Sequence, residues 1–176
     1  MGRIGSLLGA IGLTMVGSLA IPAQAVEIAR QDFQGAVGMC KGATPAYSAA
    51  LRNRPLGMAN ESGSVAYVTC NWQGDDTQNT TRGARLLTVV IGNTGTSAQT
   101  VDCTLINGFQ SGAQTVASYT PKTATVAAGG SATIQWVPAD LAGAPDQIKL
   151  PALSCSLPAG TVLQYTSKQY NEDVGA

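Results

Sequence analysis

The chain predicts an all-β fold: a two-layer antiparallel β-sandwich, immunoglobulin-like or jelly-roll, carrying two disulfides. Three observations lead there. Short alternating apolar runs recur with turn residues about every eight to twelve positions, and no long amphipathic helical pattern interrupts them. Three of the four cysteines share one local frame, Val68-Cys70-Trp72, Val101-Cys103-Leu105 and Leu153-Cys155-Leu157. Residues two apart point to the same side of a strand, so each of these cysteines belongs to an apolar strand face. An export signal precedes all four, which places them where disulfides persist.

That signal has three parts in order. Arg3 supplies a positive start, residues 4–21 are apolar with scattered Gly and Ser, and Ala23-Gln24-Ala25 offers small residues for cleavage. A cut after Ala25 assigns residues 1–25 to a signal peptide and 26–176 to a single sandwich domain. Pro22 and the cleavage site follow the apolar run at once and no basic stop-transfer cluster appears, so no membrane insertion is expected after cleavage. A single-arginine start fits a Gram-negative exporter, and periplasm, cell surface and medium are the expected locations.

Composition excludes several function classes. Only 11% of residues are charged, and loss of Arg3 leaves the mature chain one charge acidic. Lys and Arg form no cluster, which argues against nucleic acid and anionic membrane as partners. The chain contains no histidine. That removes Ser-His-Asp and Cys-His nucleophile activation, His-based metal sites and the ordinary neutral-pH switch. The cysteines are 30, 33 and 52 residues apart, far from the close pairs of a zinc site, so two disulfides are expected. Cys40–Cys70 with Cys103–Cys155 is preferred over the other two connectivities. Cys40 has Gly38 and Gly42 in place of apolar neighbours, so its bond is expected to tether the N-terminal segment while the other staples two strands.

The elements follow in order. Phe33, Val37 and Met39 alternate toward a short first strand ending at Cys40, and Thr44-Pro45 starts a helical turn through residues 46–53. Residues 54–57 and 60–64 read as irregular connections. Residues 65–72 form a strand with Ala66, Val68, Cys70 and Trp72 on one face; residues 73–83 form a polar loop. Residues 85–92 are apolar on both faces, as in a central covered strand. After a turn at 93–97, residues 100–106 alternate cleanly, and Asn107-Gly108 reads as a turn. Further strands are expected at 114–119, 123–127, 132–136, 150–157 and 162–169, with an interruption at Pro121, a long loop over 138–146 and a frayed tail over 171–176. Eight or nine short strands result.

Leu87-Thr88-Val89-Val90-Ile91-Gly92-Asn93-Thr94-Gly95-Thr96-Ser97-Ala98, followed after a strand by Val126-Ala127-Ala128-Gly129-Gly130-Ser131-Ala132-Thr133-Ile134, resembles the immunoglobulin-like modules of bacterial surface proteins. Such modules are adhesive, spacer or binding units. The resemblance lies in turn chemistry and implies no functional residue.

Candidate chemistry is sparse. Asp75-Asp76 with Asn79 is the best oxygen cluster, but its spacing matches no calcium loop and a solvated turn is preferred. No context sets two carboxylates across a cleft, and no S-x-x-K or nucleophile-elbow frame is present, so no catalytic residue, cofactor or metal is assigned. Trp72 and Trp136 share parity with core positions and are read as core. Phe109 and Tyr170 are the candidate ligand-contact aromatics. Asn60-Glu61-Ser62 and Asn79-Thr80-Thr81 are formal glycosylation sequons without expected use in a bacterium. The expected function is a non-enzymatic exported module that binds a protein or glycan partner or builds a surface structure. The alternatives are a small carbohydrate-binding module and a pilin-like subunit.

Overall fold

The computed structural model describes residues 26–72, 83–111 and 114–174. The signal peptide, Asp75-Asp76 with Asn79, and the sequon at Asn79 lie outside the described residues. Two antiparallel sheets pack face to face. One runs β3 (Leu51–Arg54), β4 (Gly57–Asn60), β11 (Thr161–Asp173), β6 (Ala84–Asn93), β9 (Ser131–Trp136), with β1 (Glu27–Gly35) beside the C-terminal part of β11. The other runs β2 (Cys40–Gly42), β5 (Ala66–Asn71), β10 (Pro151–Leu157), β7 (Gln99–Ser111), β8 (Gln114–Val126). Helices α1 (Ala36–Met39) and α2 (Pro45–Ala50) sit among the first strands.

The pairing is nested: β7 with β8, β6 with β9, β5 with β10, β1 with β11. The chain is thus a long hairpin rolled so that alternate rungs fall in opposite sheets. That is the jelly-roll arrangement, the second of the two predicted topologies. In an immunoglobulin domain the sheets would instead read ABED and CFG. The two turns that carry the resemblance to immunoglobulin-like modules meet in space, where the Asn93 amide donates to the Gly130 carbonyl at 2.9 Å.

The core lies between the sheets. Leu87, Val89 and Ile91 of β6, Val101 and Leu105 of β7, Leu153 and Leu157 of β10, and Leu163 of β11 are all buried. Trp136 is fully buried and Trp72 nearly so, as their parity predicts. Both disulfides form with the preferred pairing. Cys40 lies directly opposite Cys70 across β2 and β5, and Cys103 opposite Cys155 across β7 and β10. The tether reading is therefore corrected: Cys40 is itself in a strand, and both bonds join neighbours within one sheet.

Several boundaries differ from expectation for identifiable reasons. The first strand is β1, earlier than expected, and Val37 and Met39 belong to α1. The helical turn is Pro45–Ala50, capped by the Thr44 hydroxyl accepting from the Tyr47 amide at 3.4 Å; Leu51 onward is strand. The connection expected at 54–57 is the turn of the β3–β4 hairpin, whose strands were not expected, while residues 61–64 are irregular as expected. Asn107-Gly108 does not turn. Asn107 Oδ1 accepts from the Lys149 and Leu150 amides at 3.1 and 3.2 Å, so the side chain caps the incoming β10 while β7 runs on. Pro121 does not interrupt β8 because β8 is an edge strand, where a missing donor faces outward. The tail is not frayed from residue 171: β11 continues to Asp173 because β1 pairs with it over nine residues.

One end of the sandwich is closed by two equivalent side-chain latches. Asn60 is fully buried at the end of β4, where its Nδ2 donates to the Ser64 carbonyl at 2.7 Å and the Leu157 carbonyl at 2.6 Å. Its Oδ1 accepts from the Ser62 amide and hydroxyl. Asn93, at the end of β6, repeats the pattern with the Ser97 and Val126 carbonyls and the Gly95 amide. Each amide clamps the crossover that carries its chain into the opposite sheet. Along the side where β8 faces β9, Trp136 Nε1 donates to the Thr120 carbonyl at 2.9 Å and Lys122 Nζ to the Gln135 carbonyl at 2.7 Å.

Candidate functional site

The outer face of the β1–β11–β6–β9 sheet has an unusual composition. Inward residues of β6 and β9 are buried core, so the alternate positions face away from it. The register gives their rows: Gln31–Gln169–Leu86, then Phe33–Ser167–Thr88–Gln135, then Gly35–Tyr165–Val90–Thr133, then Val162–Gly92–Ser131. No charged side chain occurs in these four rows. Amides and hydroxyls dominate, and Gln31 and Gln135 donate to Ser167 and Thr88 within the face.

Two aromatic rings stand on this surface. Phe33 is 65% exposed and Tyr165 is 38% exposed. Their centroids are 5.9 Å apart with planes inclined by 58°, the tilted geometry that ring quadrupoles favour. A β-bulge decides Tyr165's side. Leu163 pairs with Ile91 and Tyr165 with Val90, so Gln164 is an extra residue in β11. Without it Tyr165 would share the inward side of Leu163; with it the ring turns outward.

Beyond the Val162–Gly92 row the surface dips into a groove of about 570 Å³. Its floor is Ala59, Val162 and Gly92, and Leu56 at the tip of the β3–β4 hairpin forms one wall. Arg54 and Glu61 border it as a bidentate ion pair, Nε and Nη2 donating to the two carboxylate oxygens at 2.6 and 2.7 Å. Gly57 is fixed by crowding, since a Cβ there would lie 2.5 Å from the Leu163 carbonyl oxygen.

The two aromatics singled out from sequence lie apart from each other, and Tyr170 lines, with Arg30 and Arg85, a pocket that borders the Gln31–Gln169 row. Phe109 is exposed on β7, in the other sheet. Tyr170 is half-buried on β11 with Lys168 Nζ 4.6 Å from its ring centroid. Sequence reasoning missed Phe33 as a surface residue, although its polar neighbours Gln31, Asp32 and Gln34 were a legible signal. Among the described residues no cluster of His, Cys, Asp or Glu is arranged to hold a metal ion. No helix among them is long and apolar enough to cross a membrane. Asn60 cannot carry a glycan in the folded protein, because its amide nitrogen is buried and donates twice.

No protein-family model and no curated protein matches the chain. Among solved structures, PfGH50B matches over 82% of this chain and 22% of its own, with 11% identity and a TM-score of 0.41. TmCBM61 in complex with β-1,4-galactotriose matches over 81% of this chain and 88% of its own, with 8% identity and a TM-score of 0.33. Likenesses this distant carry no argument about fold or ligand.

Proposed function

We propose that the protein is an exported, non-enzymatic carbohydrate-binding module that takes an uncharged glycan on the outer face of the β1–β11–β6–β9 sheet. The observation that carries this reading is the exposed Phe33–Tyr165 pair, set among amides and hydroxyls, with Arg30 and Arg85 at the pocket that borders the Gln31–Gln169 row. Sugars offer apolar C–H faces and many hydroxyls. Aromatic planes match the former, and Gln, Ser and Thr side chains match the latter. The absence of histidine supports binding without catalysis. The two disulfides support export. The pilin-like alternative has less support, because β11 lies in the interior of its sheet between β6 and the β4 and β1 strands.

The test is affinity electrophoresis in gels cast with neutral polysaccharides: galactan, xylan, mannan and mixed-linkage glucan. At least one should retard the protein. Phe33→Ala and Tyr165→Ala should each weaken retardation about thirtyfold, the scale of a binding hot spot. Failure of every polysaccharide, or equal retardation of the Phe33→Ala/Tyr165→Ala double variant, refutes the reading.

A further inference from the structure

We infer that the binding face continues past Tyr165 into the groove beside the β3–β4 hairpin, so that the ligand is an extended uncharged oligosaccharide of several units, not a single sugar. This rests on the carbohydrate-binding reading and adds a second subsite to it. From the Phe33 row to the Gly92 row is four residues along β6, about 13 Å at strand rise, longer than one pyranose ring. The surface between is uninterrupted: Tyr165 and Val90 lie in one row, Val162 and Gly92 in the next. The groove's volume is in the range that encloses small ligands.

Charge also favours the same ligand along the whole path. Arg54 and Glu61 are the charged groups bordering the groove, and they engage each other in two hydrogen bonds, leaving the boundary net neutral. Gly92 is the telling position. A Cβ there would meet only the Gln164 side chain, its amide nitrogen at 2.9 Å. That contact is the far end of a flexible chain, so the fold tolerates a side chain at 92. The glycine keeps the groove floor low.

The experiment uses the polysaccharide that retards the wild-type protein, cut into a ladder of one to six units and titrated calorimetrically. Wild-type affinity should rise with length until both subsites are spanned. Gly92→Leu should lose about tenfold in affinity for the hexamer and flatten the rise of affinity with length, and Phe33→Ala should weaken every length. Leu56→Asp, at a position 84% exposed, should reproduce the Gly92→Leu effect without touching the core. Length-independent affinity, or a hexamer bound equally by wild type, Gly92→Leu and Leu56→Asp, overturns the second subsite while leaving the aromatic face intact. If no length binds and sedimentation velocity instead finds a dimer that Phe33→Ala dissociates, the face is a self-association surface and both proposals fail.

Discussion

Asn60→Ala should be among the most damaging single substitutions in this protein. The side chain makes four hydrogen bonds at zero exposure, and alanine removes all of them. The Leu157 carbonyl then loses a partner in a buried setting, at about 1–3 kcal/mol for an unsatisfied polar group. The three bonds within 60–64 are nearer solvent, and water replaces part of each, so together they add about 1–2 kcal/mol. A loss of about 3–4 kcal/mol follows, or roughly 10 °C in Tm for a domain of this size. Urea unfolding followed by tryptophan fluorescence reads the change as a shift in midpoint at constant slope. Asn60→Asp sharpens the test. It keeps an acceptor for Ser62 but turns a carboxylate oxygen toward the Leu157 and Ser64 carbonyls. Burial and those carbonyls raise the folded-state pKa of the new acid, so its penalty is largest at neutral pH and eases as pH falls through that value. A loss below 1 kcal/mol for Asn60→Ala, or an aspartate variant as stable as wild type at pH 7, would refute the latch.

Three further outcomes follow from the same physics. Replacing Cys103 and Cys155 together by serine should cost about 4 kcal/mol in the chain-entropy model, and replacing Cys40 and Cys70 about 0.5 kcal/mol less because its loop is shorter, 30 against 52 residues; paired denaturant midpoints check the order. Trp136→Phe should cost about 2 kcal/mol by leaving the Thr120 carbonyl without its indole donor and opening space in the core, read in the same unfolding assay. The Lys122 hydrogen bond, then the Val137 amide, holds the Asp140 carboxyl below its ordinary value of 3.8. A depressed pKa stabilises above the unfolded value and loses that contribution as pH falls through the folded one. Asp140→Asn should therefore be less stable than wild type at pH 6, with the gap closing below about pH 4 in thermal melts.

The parts of the fold legible in the sequence were those whose signal is local. Val68, Cys70 and Trp72 show their common face by alternation alone, and residues 85–92 show a central strand by lacking alternation, although only one of its sides is covered by the other sheet: Leu86, Thr88, Val90 and Gly92 belong to the outer face. The disulfide pairing was favoured among three options, yet its placement within one sheet was not legible, since register depends on pairing partners far along the chain. Asn107-Gly108 and Pro121 misled for a common reason. Turn propensity is a property of the isolated chain, whereas Asn107 spends its side chain on β10 and Pro121 lies where no ladder partner is needed. The candidate site was hidden more deeply. Tyr165 faces outward only because of the bulge at Gln164, and a bulge inserts one residue without any compositional mark.

That bulge ties the site to the fold in a way that bears on its stability. Phe33 stands on β1, an edge strand whose residues are exposed or half-buried and which is held by its ladder to β11 and by side-chain bonds such as Arg30–Glu172 and Asn171–Glu27. Tyr165 stands on β11, bonded on both sides. The two halves of the aromatic pair therefore differ in local stability: an opening of β1 removes Phe33 from the face and leaves Tyr165 in place. Arg30→Ala touches neither ring, yet it removes a charged bond from β1, so amide exchange should quicken in β1 ahead of β6. Glycan affinity should fall with it, in proportion to the fraction of molecules in which β1 is docked.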